Sequence, residues 1–520
     1  MNLATADIVI FVGYVFALIG IASWVSREKP GHQKDTKDYF LAGNSLPWWA
    51  VGASLIAANI SAEQIIGMSG SGFAIGLGIA SYEWMAAITL ILVGKYMLPI
   101  FLKRKIYTMP QFLEQRFDHR VRTVLAIFWL GVYVFVNLTA VLWLGSLAIG
   151  TIVGVPIEYG LIFLALFAIA YSIYGGLKAV AFTDIIQVTL LVFGGLMLSY
   201  ITLGMLGNGE GVIAGFILLT EQVPDKFDMI LSPDNPHYIS LPGISVLVGG
   251  MWVMNFSYWG FNQYIIQRTL AAKSLKEGQK GIVFAAFLKL LMPVIVVLPG
   301  IAAAVLAADI SRPDQAYPTL MNLMPVGLKG LVFAALVAAI VSSLGSMVNS
   351  IATIFTMDLY AYYRKDRSQK HYVFVGRLVG VTALAVATLS ARPLLGQFDQ
   401  AFQYIQEFTG FFTPGIVVLF VLGMFWSRTT ANAGLSAAIG SAVLSLLLKI
   451  YWPSLPFIDR VGLVFLLCIG IAVVVSLLES RERHPQAVEL TDIDFTTSRG
   501  FNAGGVAIAL ILVALYAVWW

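Results

Sequence analysis

Ala57-Ala58-Asn59-Ile60-Ser61-Ala62-Glu63-Gln64 interrupts an apolar run, and Gly67, Gly70 and Gly72 follow it. Within six residues the run meets two amides, a hydroxyl and a carboxylate. In hydrocarbon an unsatisfied backbone group is costly, so a spanning chain stays helical unless it is buried in protein or lines a cavity. A polar, glycine-rich break lets a membrane helix unwind and offer free backbone groups to a ligand. Gly249-Gly250 and then Asn255-Phe256-Ser257-Tyr258-Trp259-Gly260 form a second such break. The first break falls on the second apolar span and the other on the seventh. Five is an odd offset, so spans 2–6 and 7–11 have opposite orientations. Matched breaks in two inverted halves point to a transporter binding site. For either break alone, small residues that permit tight helix packing are the alternative.

The rest of the chain fits this frame. It has 520 residues, 59% hydrophobic and 12% charged, with a mean hydropathy of +0.84; soluble domains carry about 25% charged residues. Windows near 20 residues give fourteen spans: 6–25, 46–70, 79–101, 122–150, 157–174, 183–205, 243–267, 281–305, 328–358, 372–392, 402–426, 430–450, 462–479 and 503–519. Alternate connections hold 23 of the 32 lysines and arginines: Arg27 to Lys37, Lys103 to Arg122, Lys178, Arg268 to Lys280, Arg364 to Lys370, Arg428, and Arg481 to Arg499. The positive-inside rule makes that side cytoplasmic and puts both termini outside. Met1 to Asp7 has no positive region, so the first span reads as retained rather than as a signal peptide. The expected organisation is an extra helix and cytoplasmic loop (1–45), five helices (46–205), an external loop with room for a short helix (206–242), five more helices (243–426) and three C-terminal helices (427–520).

Several functions are excluded. Cys468 stands alone, and all five histidines lie in polar connections, so the ligands of a membrane metalloenzyme are missing. No nucleotide-binding loop appears, so transport would draw on an ion gradient. A membrane sensor would need a soluble signalling domain that the short loops cannot hold.

Lys289 lies inside the run Gly281 to Val305, and Glu83 inside the third span. A charge at the bilayer centre costs at least about 2.5–3.5 kcal/mol, so it faces a cavity or a partner. The pair reads as part of a polar site or as an ion pair tying two helices. Gln64, Asn255 and Gln406 are amides, which both donate and accept, as a neutral polyol requires. Taken singly, each amide fits hydrogen bonding between helices as well. Tyr258 is three residues from Asn255 and shares its helix face.

These stretches, with Tyr82-Glu83-Trp84, Tyr174-Gly175-Gly176-Leu177-Lys178-Ala179-Val180, Thr183-Asp184, Tyr258-Trp259-Gly260-Phe261-Asn262-Gln263-Tyr264 and Ser342-Ser343, resemble the solute:sodium symporter family over nearly the whole chain, most closely its sugar-carrying branch. The resemblance implies an all-α polytopic LeuT-type fold with a five-plus-five inverted repeat, in the inner membrane. It implies hexose contacts from Gln64, Glu83, Asn255, Lys289 and Gln406, an inner gate at Tyr258, and outer cover from Met68, Tyr82 and Phe402. Sodium, the coupling ion, would take the carbonyls of Ala57, Ile60 and Ala339 and the hydroxyls of Ser342 and Ser343. No organic cofactor and no nucleic acid is implied.

Ala339, Ser342 and Ser343 stand at i, i+3 and i+4, so a hard cation would find oxygens on one helix face; serines bonded back to their own helix are the alternative. Asp184 reads as a partner of Lys178 or Arg377, or as a lining of the sodium exit. Two departures stand out. Ala86 replaces a sugar-contacting serine of that branch, and Gly345 replaces a hydroxyl residue of members that move two sodium ions, which favours one. The expected activity is sodium-coupled symport of galactose or glucose by alternating access. Another small solute, such as inositol, sialic acid or proline, is the rival.

Overall fold

The computed structural model describes residues 3–25, 42–396, 400–480 and 482–520, with the backbone alone for 171–182 and for residues 22, 25 and 42. The basic connection holding Arg27, Lys29, Lys34 and Lys37 lies outside the described residues, as do Arg481 and the side chain of Lys178. Regular structure among the described residues is helical, apart from one parallel bridge between Leu46 and Ala272.

Nine described helices are long and apolar enough to cross a membrane, and two bent pairs raise this to eleven. The count of fourteen also takes in Thr5–Val25, the first part of Ile157–Leu206 and the broken stretch 245–270. Two details differ from expectation. Spans 157–174 and 183–205 fall on one helix, Ile157–Leu206, with no proline between them to stop it. Span 402–426 is bent by 47° between Ala401–Thr409 and Thr413–Phe425. Pro414 sits in the first turn of the second piece, where its missing N–H costs nothing. The connection 206–242 carries the helix Val212–Gln222, in keeping with the short helix allowed for there.

Both expected breaks are present. Trp48–Asn59 and Glu63–Ala74 meet at 60°. Between them Ile60 leaves helical geometry (φ −70°, ψ 82°), and the Ser61 hydroxyl accepts the Glu63 N–H at 3.2 Å, a local bond that competes with the helical ladder. The seventh stretch breaks at Gly249 (φ −114°, ψ −131°). It widens into a π-helical turn over Ser257–Phe261 and becomes extended at Asn262.

Burial ranks the helices. The apolar stretch of Leu328–Thr353 is 94% buried, whereas that of the last helix, Arg499–Val518, is only 17% buried. Leu328–Thr353 is thus the centre of the bundle, packed on Ile157–Leu206, Trp48–Asn59 and Gln369–Leu395. Asp7 of the first helix caps it, accepting the N–H groups of Gly327 (2.7 Å) and Gly330 (2.9 Å). An acidic side chain there meets unpaired N–H groups and the positive end of the helix dipole. The last helix, on the lipid side, packs on Ser81–Leu92: the Tyr516 hydroxyl donates to Ser81 Oγ at 3.1 Å, and the rings of Trp84 and Tyr516 meet edge to face.

Candidate functional site

The polar centre follows from one close helix contact. A Cβ on Gly52 would lie 2.7 Å from the carbonyl oxygen of Gly281, and one on Gly281 would lie 2.8 Å from that of Trp48. Glycine at both positions lets Trp48–Asn59 and Leu275–Ile295 approach backbone to backbone. The helices run parallel, so about two turns further on Asn59 and Lys289 come side by side. The ammonium of Lys289 donates to Asn59 Oδ1 and to Glu83 Oε2, and it lies 4.7 Å from the centroid of the Trp259 ring. Ser81–Leu92, which also packs on Leu275–Ile295, brings Glu83 to the same point. The pair expected from sequence is therefore an ion pair across two helices, with Lys289 fully buried.

A cavity opens beside this pair, lined by Asn59, Gln64, Glu83, Asn255, Tyr258 and Gln406 among others. Met68, Tyr82 and Phe402 also line it, and the rings of Tyr82 and Phe402 meet edge to face 5.2 Å apart. Lys289 and Ala86 are not on this wall; Lys289 stands behind it and reaches it through Glu83 and Asn59. The Tyr258 hydroxyl is held twice, accepting from Asn59 Nδ2 at 3.0 Å and from the Tyr264 hydroxyl at 2.9 Å. Asn255 Nδ2 donates back to the Met251 carbonyl at 3.1 Å. Gln406 Nε2 donates to Glu63 Oε1 at 3.1 Å. The sequence reading gave Glu63 no role, although it is a buried carboxylate within the first break. Its place next to Gln64, inside an apolar span, was the signal available.

The expected ion ligands gather at the same break. Ser343 Oγ donates to the carbonyls of Ala57 (3.3 Å) and Ala58 (3.2 Å), bridging Leu328–Thr353 to the end of Trp48–Asn59. Ile60 is the residue at which that helix unwinds, and Ala339 is buried one turn before Ser342 and Ser343. Uncharged carbonyl and hydroxyl oxygens are a suitable donor set for a hard monovalent cation. Ser342 Oγ donates to Asp184.

For Asp184 the structure shows partners that the sequence did not suggest. The Lys178 side chain lies outside the described residues, and Arg377 makes no ion pair with Asp184. Its carboxylate accepts from Ser54 Oγ at 2.5 Å and from Ser342, and Arg268 stands 3.7 Å away. Arg268 was counted among the cytoplasmic loop charges, yet it is fully buried, and its guanidinium also donates to Ser346. The requirement that a buried charge be paired explains both placements.

Comparison with known proteins gives the following. The model of the family described as "Sodium:solute symporter family" matches residues 39–440. A "Sodium/glucose cotransporter" of Vibrio parahaemolyticus is 53% identical over 538 residues, covering 100% of this chain and 99% of its own. The human "Sodium/myo-inositol cotransporter 2" is 33% identical over 475 residues, covering 86% and 70%. Among solved structures, a Na+-coupled sialic acid symporter superposes with a TM-score of 0.79 at 24% identity, covering 91% of this chain and 98% of the other. At that identity the likeness speaks for the fold, which is all-helical and of LeuT type.

Proposed function

The chain belongs to the sodium:solute symporter family, multi-pass sodium-coupled carriers that are not enzymes; from that premise we propose that its solute is a neutral hexose, galactose or glucose, carried by alternating access. The observation that carries this is the cavity wall. Four amides, Asn59, Gln64, Asn255 and Gln406, and the rings of Tyr82 and Tyr258 stand round it, and its carboxylate Glu83 is matched by Lys289. Groups that donate and accept suit a polyol, and the rings offer flat faces to its C–H bonds. The full-length likeness to a protein named for sodium and glucose supports the same reading.

The residues divide the work as follows. Gln64, Glu83, Asn255 and Gln406 bind the hydroxyls, and Lys289 fixes Glu83 and Asn59. Tyr258 closes the cavity toward the cytoplasm, and Met68, Tyr82 and Phe402 cover it from outside. Sodium takes Ala57, Ile60, Ala339, Ser342 and Ser343, with Asp184 beside its way out. Two repeats of five helices, 46–205 and 243–426, flank the site, and the basic connections face the cytoplasm of an inner membrane with both termini outside.

Coupling follows from adjacency. The Ala57 carbonyl belongs to the ion site, Ser343 reaches the carbonyls of both Ala57 and Ala58, and the next side chain, Asn59, holds Tyr258 and Lys289. An ion that fixes this end of the helix against Leu328–Thr353 also fixes Asn59. Sodium then raises hexose affinity and hexose raises sodium affinity by one factor.

Uptake of labelled galactose into proteoliposomes, with an inward sodium gradient against potassium, tests the proposal. Sodium-dependent accumulation competed by glucose supports it. Uptake of myo-inositol or sialic acid but no hexose would keep the carrier and sink the hexose.

A further inference from the structure

A cavity of about 400 Å³ lies apart from the solute and sodium sites, where the ends of three basic connections meet. Trp48 follows the first of them, Lys280 closes the second and Ser498 lies in the third. Val283 and Phe284 form one wall and Phe501 the other.

The cavity exists because two helices touch and then diverge. A Cβ on Gly504 would lie 2.6 Å from Val283 Cγ1, so Leu275–Ile295 and Arg499–Val518 are in contact there. One turn nearer the basic end, a Cβ on Gly500 would meet only Ser498 Oγ, 4.0 Å away. The wedge between the helices is apolar at depth: Phe501 is buried, and the rings of Trp48 and Phe284 meet edge to face 5.8 Å apart. Trp48 and Phe287 are each 39% exposed, so the wedge opens sideways and continues along the helix surface. Its rim is basic. Lys280 stands on one side, and Arg499, between the lining residues Ser498 and Gly500, on the other. The nearby acids are already engaged. Glu277 accepts the Trp48 N–H at 2.8 Å, with the Lys280 ammonium 3.7 Å away. Asp494 accepts the Thr496 N–H at 2.9 Å and stands in the field of Lys276. An exposed pair such as Lys280 and Glu277 contributes little, so the ammonium can turn to a stronger anion.

An apolar wedge beneath a basic rim at the membrane surface suits one class of ligand. Basic pockets between membrane helices recruit anionic headgroups. A soluble anion would leave the walls of Phe284 and Phe501 uncovered, and a neutral lipid would leave the rim unused. We propose that this cavity seats one anionic phospholipid of the leaflet on the basic side. Its phosphate takes Lys280, Arg499 and the Ser498 hydroxyl, which accepts the Phe501 N–H at 3.2 Å and has its own proton to donate. One acyl chain lies between Phe284 and Phe501 and leaves along Phe287. The lipid thereby bridges Leu275–Ile295, which carries Lys289, to the last helix, which packs on the helix of Glu83.

The test is lipid retention by the purified, delipidated full chain, read by native mass spectrometry. The probes are phosphatidylglycerol and phosphatidylcholine with identical chains, and glycerol phosphate as the headgroup without chains. The wild type is expected to hold one phosphatidylglycerol in preference to phosphatidylcholine, by roughly fivefold for each basic residue of the rim, and to release glycerol phosphate. Lys280→Gln and Arg499→Gln, both at exposed positions, should each lower that preference roughly fivefold and leave retention of phosphatidylcholine unchanged. Val283→Phe should fill the wedge and lower retention of both lipids; should it not fold, the two exposed variants decide. Equal retention of the two lipids by the wild type, or a preference untouched in both Lys280→Gln and Arg499→Gln, would overturn the proposal. Glycerol phosphate held as firmly as phosphatidylglycerol would overturn it in favour of a soluble anion.

Discussion

Asn59 Nδ2 donates to the Tyr258 hydroxyl at 3.0 Å while Asn59 Oδ1 accepts from the Lys289 ammonium. One side chain at the end of an unwinding helix thus holds the ring that lines the cavity and the buried cation behind Glu83. Asn59→Ala should cut both bonds. A hydrogen bond to a charged group contributes about 1.5–3 kcal/mol, so hexose affinity is expected to fall roughly 10- to 100-fold and to lose its dependence on sodium. Binding of labelled galactose over a sodium series checks this; an unchanged sodium dependence would count against Asn59 as the link.

Lys289→Ala leaves Glu83 buried without its cation. Breaking a buried pair costs about 3–5 kcal/mol, so both uptake and thermal stability should drop. Adding Glu83→Gln removes the stranded charge, and the double variant should regain stability without uptake. Thermal melts beside uptake assays separate the two effects.

Ser343→Ala removes the hydroxyl facing the Ala57 and Ala58 carbonyls. The sodium concentration that half-saturates uptake should rise at least tenfold, about 1.4 kcal/mol, with hexose affinity at saturating sodium little changed. An unaltered sodium response would remove Ser343 from the ligand set.

Asp7→Ala uncaps Leu328–Thr353. Loss of a helix cap costs about 0.5–2 kcal/mol, so thermal stability should fall while the apparent affinities for hexose and sodium hold. A shifted sodium affinity with unchanged stability would contradict a capping role.

The fold was legible where membrane chemistry leaves few choices. Interruptions at 59–64 and 249–260 are costly unless they line a site, and both appear as breaks. Glu83 and Lys289 had to find partners in hydrocarbon, and they found each other. What stayed hidden was the choice of partner across distant sequence. Asp184 meets Ser54, Ser342 and Arg268 from three other helices, and no spacing along the chain encodes that meeting. Charge counting placed Arg268 in a loop, because a count by connection cannot tell a solvated arginine from one turned inward. Glu63 escaped notice because its neighbour Gln64 already accounted for the break, and the bond from Gln406 is visible only in three dimensions.

Tyr516 reaches from the most lipid-exposed helix to Ser81, and its ring packs on Trp84, so Glu83 is flanked in sequence by two residues in contact with the outermost layer. One thin wall separates the solute cavity from the acyl chains. A bilayer too thick or too thin for Arg499–Val518 would tilt that helix, at a cost of fractions of a kcal/mol per ångström, and the strain would arrive beside Glu83, the carboxylate proposed to hold the solute. The hydrophobic thickness of the host membrane is therefore expected to act on the carrier's affinity, and two membranes of unlike thickness should turn one polypeptide into two carriers of different avidity.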